Sequence, residues 1–332
     1  MRPNLFQFAT SELSQDAFLC WLLSWADAEH GKECHYLNMV SKNLLTLIYQ
    51  RANAKLPTEF STVEVRKQDG NIDILCIVNC ETAILIEDKV GTKQHSDQLA
   101  RYKDHVFNKL GFTADKVIPV YIQTGDQSDY HEVSKHGYLV LERRDLLNIL
   151  EADSGKAAKE KSDILGDFSD NMRRIENEVQ SFLTLPPKKW SWNSWKGFYT
   201  SLQNTLQDGN WDYVANPSGG FLGFWWYFDG TNEFELYLQL EQEKFCFKIL
   251  VNDDEKRRGL REYWHKQIVL KCPDHGLKVK RPDRFGNGKY MTVAILEQEF
   301  RVIDGNGLIN MNETLKIIQS AQSVLDDCLS TV

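Results

Sequence analysis

The sequence lacks an apolar run long enough to span a bilayer. Its longest apolar stretches, such as 18–23 and 83–86, fall far short of the roughly 18 or more residues that a membrane helix needs. The opening residues, MRPNLFQFATSELSQD, contain no apolar core of a signal peptide, so we expect no export. Seven cysteines, an odd number at irregular spacing, favour reduced thiols over a disulfide framework. These absences predict a cytoplasmic protein without a membrane segment.

The chain also lacks an excess of positive charge. Its 39 lysines and arginines stand against 47 aspartates and glutamates, which gives a formal net charge of −8. This sign argues against a protein that coats nucleic acid through bulk electrostatics. It does not argue against an enzyme, because a bound cation neutralises its own carboxylates and basic residues can cluster locally. Internal repeats and low-complexity tracts are also absent from the sequence.

At 332 residues the chain is long enough for two domains, although the length alone also allows one large domain. The strongest boundary signal is Pro186-Pro187, which two lysines follow. Composition changes there, because seven of the nine tryptophans lie between Trp190 and Trp264. We therefore predict a first domain over 1–185 and a smaller domain over 186–332.

The apolar periodicities predict a mixed α/β first domain. Its predicted helices lie at 11–27, 36–52, 94–110, from 144 onwards and at 164–183, and its predicted strands lie at 62–68, 71–78, 82–89, 117–123 and 137–141. The second domain is predicted to be α+β and rich in tryptophan. Its predicted helices lie at 193–208 and 311–329, and its predicted strands lie at 221–228, 233–241, 244–251 and 290–296.

The most informative segment is 71–102, NIDILCIVNCETAILIEDKVGTKQHSDQLARY. An aspartate, Asp73, enters an apolar strand, and a second apolar strand ends at Glu87-Asp88-Lys89. Because side chains alternate across a strand, Glu87 and Lys89 share one face and Asp88 points to the other. If the turn is the three residues 79–81, Asp73 falls opposite Glu87, with Cβ atoms roughly 4.5–5.5 Å apart. The segment therefore predicts two carboxylates that hold one cation.

Carboxylate oxygens are ligands that suit Mg²⁺ or Mn²⁺. Such an ion acidifies a bound water and stabilises charge on a phosphodiester. Lys89 stands where an ammonium could orient that water or offset developing charge. A surface ion network is the alternative explanation of these side chains. Gln98 and Tyr102 favour the metal site, since they stand four residues apart on one helical face and can project together towards the strand ends.

Asp73, the Glu-Asp-Lys triplet at 87–89 and the pair Gln98 and Tyr102 resemble the PD-(D/E)XK nuclease superfamily. The resemblance is strongest to its RecB-like members, which carry a Gln-x-x-x-Tyr helix. The superfamily's proline before the aspartate is absent here, where Ile72 stands in its place. That position varies widely in the superfamily.

The N-terminal segment SELSQDAFLCWLLSWADAEHG is similar to the opening of family 4 of these nucleases. Glu12 stands where that family places a helical acidic residue at the active site. The resemblance therefore implies three metal-binding carboxylates, from Glu12, Asp73 and Glu87. It also implies that these residues act in catalysis together with Lys89, Gln98 and Tyr102.

The similarity covers about residues 5–180. It implies a restriction-endonuclease-like mixed sheet flanked by helices, and Mg²⁺-dependent hydrolysis of phosphodiester bonds, usually in DNA rather than RNA. Many relatives serve in restriction, phage defence or repair, which is an association rather than a derivation. The alternative is a catalytically silent nuclease fold that binds nucleic acid or a protein partner. The presence of all the acidic positions and the lysine favours an active enzyme.

A basic stretch in the second domain carries Lys280, Arg281 and Arg284 beside a Gly-Asn-Gly turn. These side chains predict either a surface that contacts nucleic-acid phosphates or an ordinary solvated face. The tryptophans are predicted to pack in the core rather than to stack on bases. The second domain would then select the substrate or a partner.

Overall fold

The computed structural model describes residues 2–93, 98–216 and 219–330. It contains two compact units, Met1–Glu176 and Asn177–Val332. The division falls inside a helix, ahead of the boundary expected beside Pro186-Pro187. The domain limits of 1–185 and 186–332 therefore stay a prediction. Each unit has a hydrophobic core of its own.

In the described part of the first unit, five strands form one mixed sheet in the order β1-β2-β3-β4-β5. The first three strands are antiparallel neighbours, and β3, β4 and β5 are parallel. The central strands are buried along almost their whole length, because helices cover both faces. The strands are β1 (Val63–Asp69), β2 (Ile72–Val78), β3 (Thr82–Lys89), β4 (Val117–Gln123) and β5 (Leu139–Glu142).

Helices α1 and α3 pack on one face of this sheet and α4 packs against β3 on the other. This mixed sheet flanked by helices is the restriction-endonuclease-like core that the resemblance implies. The first four positions of the predicted helix 94–110 lie outside the described residues. The helices are α1 (Glu12–Ser24), α2 (Ala28–Gly31), α3 (His35–Arg51), α4 (Gln98–Asn108), α5 (His131–Lys135), α6 (Arg143–Leu150), α7 (Asp153–Lys159) and α8 (Asp163–Gln180).

The hairpin between β2 and β3 has the register that the sequence predicts. Val78 pairs with Thr82, and the ladder continues to the pair Ile74 and Ile86. The three-residue turn contains Asn79 and Cys80 at φ angles of 52° and 54°. Asparagine tolerates this left-handed conformation better than most residues do. Continued by one step, the register places Asp73 opposite Glu87.

The second unit is built on a six-stranded antiparallel sheet in the order β10-β11-β9-β8-β7-β6, within the residues that the structure describes. Most of its tryptophans are buried, as predicted. Its strands are β6 (Asn210–Val214), β7 (Phe221–Gly230), β8 (Glu235–Glu241), β9 (Lys244–Leu250), β10 (Val279–Lys280) and β11 (Tyr290–Leu296), and its helices are α9 (Trp192–Gln203), α10 (Arg257–Lys271) and α11 (Met311–Leu329).

Among the described residues, no helix combines the length and the apolar character needed to cross a membrane.

Candidate active site

The site forms where the ends of β2 and β3 meet the first turns of α1 and α4. Helix α1 begins at Glu12, because the Ser11 hydroxyl caps it by accepting the N–H of Ser14 at 3.3 Å. Helix α4 begins at Gln98 in the described chain. The sheet ends and the helix starts thus bring together side chains that are far apart in sequence.

The Lys89 ammonium lies at the centre of this cluster. Its Nζ is 2.5 Å from Glu87 Oε1, 3.7 Å from Glu12 Oε2 and 3.9 Å from Asp73 Oδ2. The lysine side chain is only 7% exposed. The three carboxylates that the resemblance implied therefore surround one buried cationic group.

Asp73 is fixed by the backbone of the neighbouring strand. Its Oδ2 accepts the N–H of Asp88 at 3.0 Å. The Asp73 carboxyl also lies beside that of Glu87 and raises its pKa. The side chains of residues 73 and 87 therefore occupy the same side of the sheet, as the sequence predicted.

Glu87 is fully buried. Burial, followed by the adjacent Asp73, raises its pKa to about 7, although Lys89 opposes this change. Burial alone would lower the pKa of Lys89, but Glu87, Asp73 and Glu12 outweigh it and raise that pKa. The lysine thus stays protonated, and the cluster holds more acidic groups than its own cation neutralises.

Gln98 and Tyr102 support the buried glutamate from α4. The Gln98 amide donates to Glu87 Oε2 at 3.2 Å and also to the Tyr102 hydroxyl. Tyr102 is 3% exposed, and burial raises its pKa to about 12, so the phenol stays neutral. The pair thus holds Oε2 of Glu87 while Oε1 faces Lys89.

Glu12 reaches the site from α1 and is the most exposed of the three acids. Its Oε1 accepts the Thr92 hydroxyl at 2.5 Å and the Val90 N–H at 3.4 Å. These contacts tie the first turn of α1 to the chain that follows β3.

Asp88 points to the opposite face, as its position in the strand predicted. Its Oδ1 accepts the Gln15 amide at 2.7 Å, and the Gln15 carbonyl accepts the Thr124 hydroxyl at 2.8 Å. Asp88 also lies within hydrogen-bonding reach of Asp16, and both carboxyls are buried. Burial raises the pKa of Asp16 to about 6, and burial also raises the pKa of Asp88. At least one of the pair holds a proton at mildly acidic pH.

The sequence interpretation missed Gln15 and Asp16. A signal for them exists in the spacing, because they follow Glu12 by three and four residues and so lie on the same face of α1. The basic residues Lys280, Arg281 and Arg284 belong to the second unit, where all three are exposed.

The donor set of the cluster fits a divalent cation of the Mg²⁺ type, since it consists of carboxylate oxygens. Glu87 Oε1 is buried and pairs with Lys89 Nζ at 2.5 Å, which leaves its second lone pair for a cation. Over the described ranges, however, no three His, Cys, Asp or Glu side chains are close enough to form a metal site. The Lys89 ammonium lies between the acids, where a metal ion would otherwise bind. Glu12 bonds to Thr92. Asp73 and Glu87 are the pair that fits best.

The comparisons with known proteins identify a family. The family model described as the PD-(D/E)XK nuclease superfamily matches residues 3–168, which is half of the 332-residue chain. No curated protein and no solved structure matches the chain. The matched residues include every side chain of the cluster around Lys89, and the second unit lies beyond them. The chain belongs to the PD-(D/E)XK nuclease superfamily.

Proposed function

We propose that this protein is a divalent-metal-dependent nuclease that hydrolyses phosphodiester bonds in DNA. The observation that carries the proposal is the convergence of Glu12, Asp73 and Glu87 on Lys89 Nζ, all within 4 Å. Membership of the superfamily supports a nuclease. DNA as the substrate, rather than RNA, follows from the usual substrate of the superfamily.

Asp73 and Glu87 would hold the cation, Mg²⁺ or Mn²⁺, with Glu12 as a third carboxylate. When bound, such a cation acidifies water and stabilises negative charge on a scissile phosphate. Burial, and after it the repulsion from the adjacent Asp73 carboxylate, raises the pKa of Glu87 to about 7. A divalent cation would remove this repulsion, and that is the electrostatic reason to expect one here.

The protein's own groups have separable roles. Lys89 presents a protonated Nζ that can orient the attacking water or stabilise charge on the phosphate oxygens. Gln98 and Tyr102 are positioning residues, because they hold Oε2 of Glu87 and leave Oε1 towards the centre of the cluster. Asp73 keeps its orientation through the Asp88 N–H.

We propose that the protein is cytoplasmic, because its seven cysteines are free thiols, which are typical of a reducing compartment. Restriction, phage defence and repair are the pathways with which such nucleases are associated. That placement rests on the superfamily alone.

The test is a cleavage panel on single- and double-stranded DNA and RNA with Mg²⁺, Mn²⁺ or EDTA. Lys89→Ala is the diagnostic variant, and Lys109→Ala, at an exposed lysine of the first unit, is the matched control. We expect metal-dependent cleavage of DNA by the wild type and the control. Loss of the Lys89 ammonium should slow it by about 100-fold or more, the size found when one charge-stabilising donor is removed.

Two results would contradict the proposal. Cleavage that persists in Lys89→Ala would mean that another site or a contaminant is responsible. Absence of cleavage under every condition, with binding retained, would favour the catalytically silent module.

A further inference from the structure

The segment 278–289, called here the basic loop, has the sequence KVKRPDRFGNGK. It contains five lysines and arginines and one acidic residue, Asp283. The cations at 278, 280, 281, 284 and 289 are all exposed. In a chain with a net charge of −8, this is a local reversal of sign.

Charge pairing distinguishes the basic loop from some other exposed cations of its unit. Over the ranges that the structure describes, none of the five forms an ion pair, whereas Lys256, Arg258 and Lys316, which are also exposed cations of the second unit, do. Lys256, for example, lies 2.6 Å from Glu233, and Lys316 lies 2.7 Å from Glu313. The positive charge of the loop is therefore not neutralised locally.

Two guanidinium groups stack on one ring of this loop. The guanidinium carbon of Arg261, from α10, lies 3.7 Å from the centroid of Phe285, and that of Arg281 lies 4.0 Å from it. Burial, and then the charge of Arg281, lower the pKa of Arg261. Two like charges thus lie near each other without an acid between them, which favours the approach of an anion.

Arg261 also fixes the shape of the loop. Its Nε donates to the Thr292 carbonyl at 2.8 Å, and its other nitrogens donate to the carbonyls of Gly286 and Arg284. His265 lies 2.9 Å from the Val293 carbonyl through Nδ1 and meets the Phe285 ring edge-on. These contacts hold the backbone of the loop in shape, which reduces the conformational entropy that the loop loses when it binds.

We infer that the basic loop is a second nucleic-acid site, which binds the phosphodiester backbone through Lys280, Arg281 and Arg284. The inference deepens the proposed function, because it rests on nucleic acid being the substrate and assigns the second unit a part in holding it. Repeated phosphates match several unpaired cations on one rigid loop. Tyr290 is 61% exposed directly after Lys289 and offers a ring on which a base could stack.

The test measures DNA binding by the full chain in EDTA, in the Lys89→Ala background, so that no cleavage occurs. Short labelled duplex and single-stranded DNA are titrated over a range of salt concentrations. The triple variant Lys280→Gln, Arg281→Gln, Arg284→Gln should bind on the order of tenfold more weakly or worse. Its slope of log affinity against log salt should be shallower by about 2 to 3, since each lost phosphate contact contributes about 0.7–0.9.

The matched control removes three exposed lysines of the same unit, as Lys188→Gln, Lys189→Gln and Lys244→Gln, and should leave the affinity and the slope unchanged. The double variant Lys280→Gln, Arg284→Gln keeps the Arg281 stack on Phe285. Its slope of log affinity against log salt should lie between those of the parent and the triple variant, and its melting temperature should equal that of the parent. This result would show that the loss of charge, and not a loss of folded protein, weakens binding.

Equal affinity and slope in the triple variant and its parent would overturn the inference. So would equally strong loss in the control triple, because the effect would then be one of net charge. Polyglutamate could also be added as a competitor of the labelled DNA. If it competes as effectively as unlabelled DNA of equal charge, the loop binds an acidic protein, and the inference is contradicted. Cleavage data distinguish the two proposals. If the wild type cleaves DNA but the triple variant binds DNA as its parent does, only the inference about the basic loop is wrong. If the wild type does not cleave but its DNA binding depends on the loop, only the nuclease proposal is wrong.

Discussion

The backbone N–H of Asp88 donates a hydrogen bond of 3.0 Å to the Asp73 carboxylate. This bond turns Asp73 over the end of β3 and towards Glu87. The side chain of Asp88 itself points to the other face, where it bonds to Gln15. Neighbouring acids of one strand thus have different contacts: Glu87 pairs with Lys89 in the proposed active site, and Asp88 joins the strand end to α1.

Tyr102→Phe tests the support of Glu87 from α4. The phenylalanine keeps the buried ring but removes the hydroxyl that accepts the Gln98 amide. We expect kcat to fall by about tenfold, in line with the loss of a residue that orients a metal ligand, at an unchanged fold. Steady-state cleavage kinetics check this, and Tyr36→Phe at an exposed tyrosine of α3 is the control. A kcat equal to that of the wild type would remove the pair from the site.

Glu12→Gln tests the third carboxylate. The amide oxygen can still accept the Thr92 hydroxyl, so the variant removes charge and preserves shape. The Mg²⁺ concentration for half-maximal cleavage should rise by about tenfold or more. Glu29→Gln, at an exposed acid on α2, should leave it unchanged. An unaltered Mg²⁺ requirement in Glu12→Gln would limit the ligands to Asp73 and Glu87.

Asp16→Asn tests the buried carboxyl pair behind the site. The pKa of Asp16 is about 6 in the folded chain, against an ordinary value of 3.8. The folded state therefore keeps a proton that the unfolded chain releases, so ionisation destabilises the fold as pH rises from about 4 to 6. Asparagine does not ionise, so above pH 6 the free energy of unfolding of the variant should exceed that of the wild type by on the order of 1–3 kcal/mol. Urea unfolding in EDTA should show a stability gain that grows with pH, and a gain constant with pH would contradict the assignment.

Glu176→Gln tests the ion network that holds α6 to α8. Arg143 donates to Glu176 Oε2 at 2.8 Å, and Arg144 donates to Oε1 at 3.1 Å. Burial opposes ionisation, but the two arginines outweigh it and lower the pKa of Glu176 below its ordinary 4.5. Its contribution is therefore complete above about pH 4.5 and lost as the pH falls through the lowered pKa.

At neutral pH the variant should lose on the order of 1–3 kcal/mol, because charged hydrogen bonds to a buried arginine are removed. The difference from the wild type should shrink below pH 4.5. Unfolding free energies measured between pH 3 and 7 provide the check. A deficit that stays constant over this interval would show that Glu176 is not held by charge.

The hairpin was predictable because two local rules acted together. A three-residue turn sets which residues pair, and the two-residue alternation sets which side chains share a face. Together they gave the ladder from Val78 and Thr82 to Ile74 and Ile86. The Gln98 and Tyr102 contact follows in the same way from helical spacing.

Helix α10 was not predicted, since its sequence RRGLREYWHKQIVLK is dominated by charge. Leu260, Trp264 and Ile268 nevertheless recur at four-residue spacing, and the last two are buried. Helix α7 has the sequence DSGKAAK, whose small and polar residues fit a loop as well as a helix. Ala158 is buried there, and α7 packs on α3. The network of Gln15, Asp88 and Thr124 depends on tertiary contacts that no local pattern encodes.

The most direct test of the central claim, that Asp73 and Glu87 share one divalent cation, is a calorimetric titration of the full chain with Mn²⁺. The wild type and Asp104→Asn, a control at an exposed acid of α4, should show the same saturable binding. Asp73→Asn and Glu87→Gln should each weaken it by about tenfold or more. Mn²⁺ affinities that are equal in all four proteins would contradict the account.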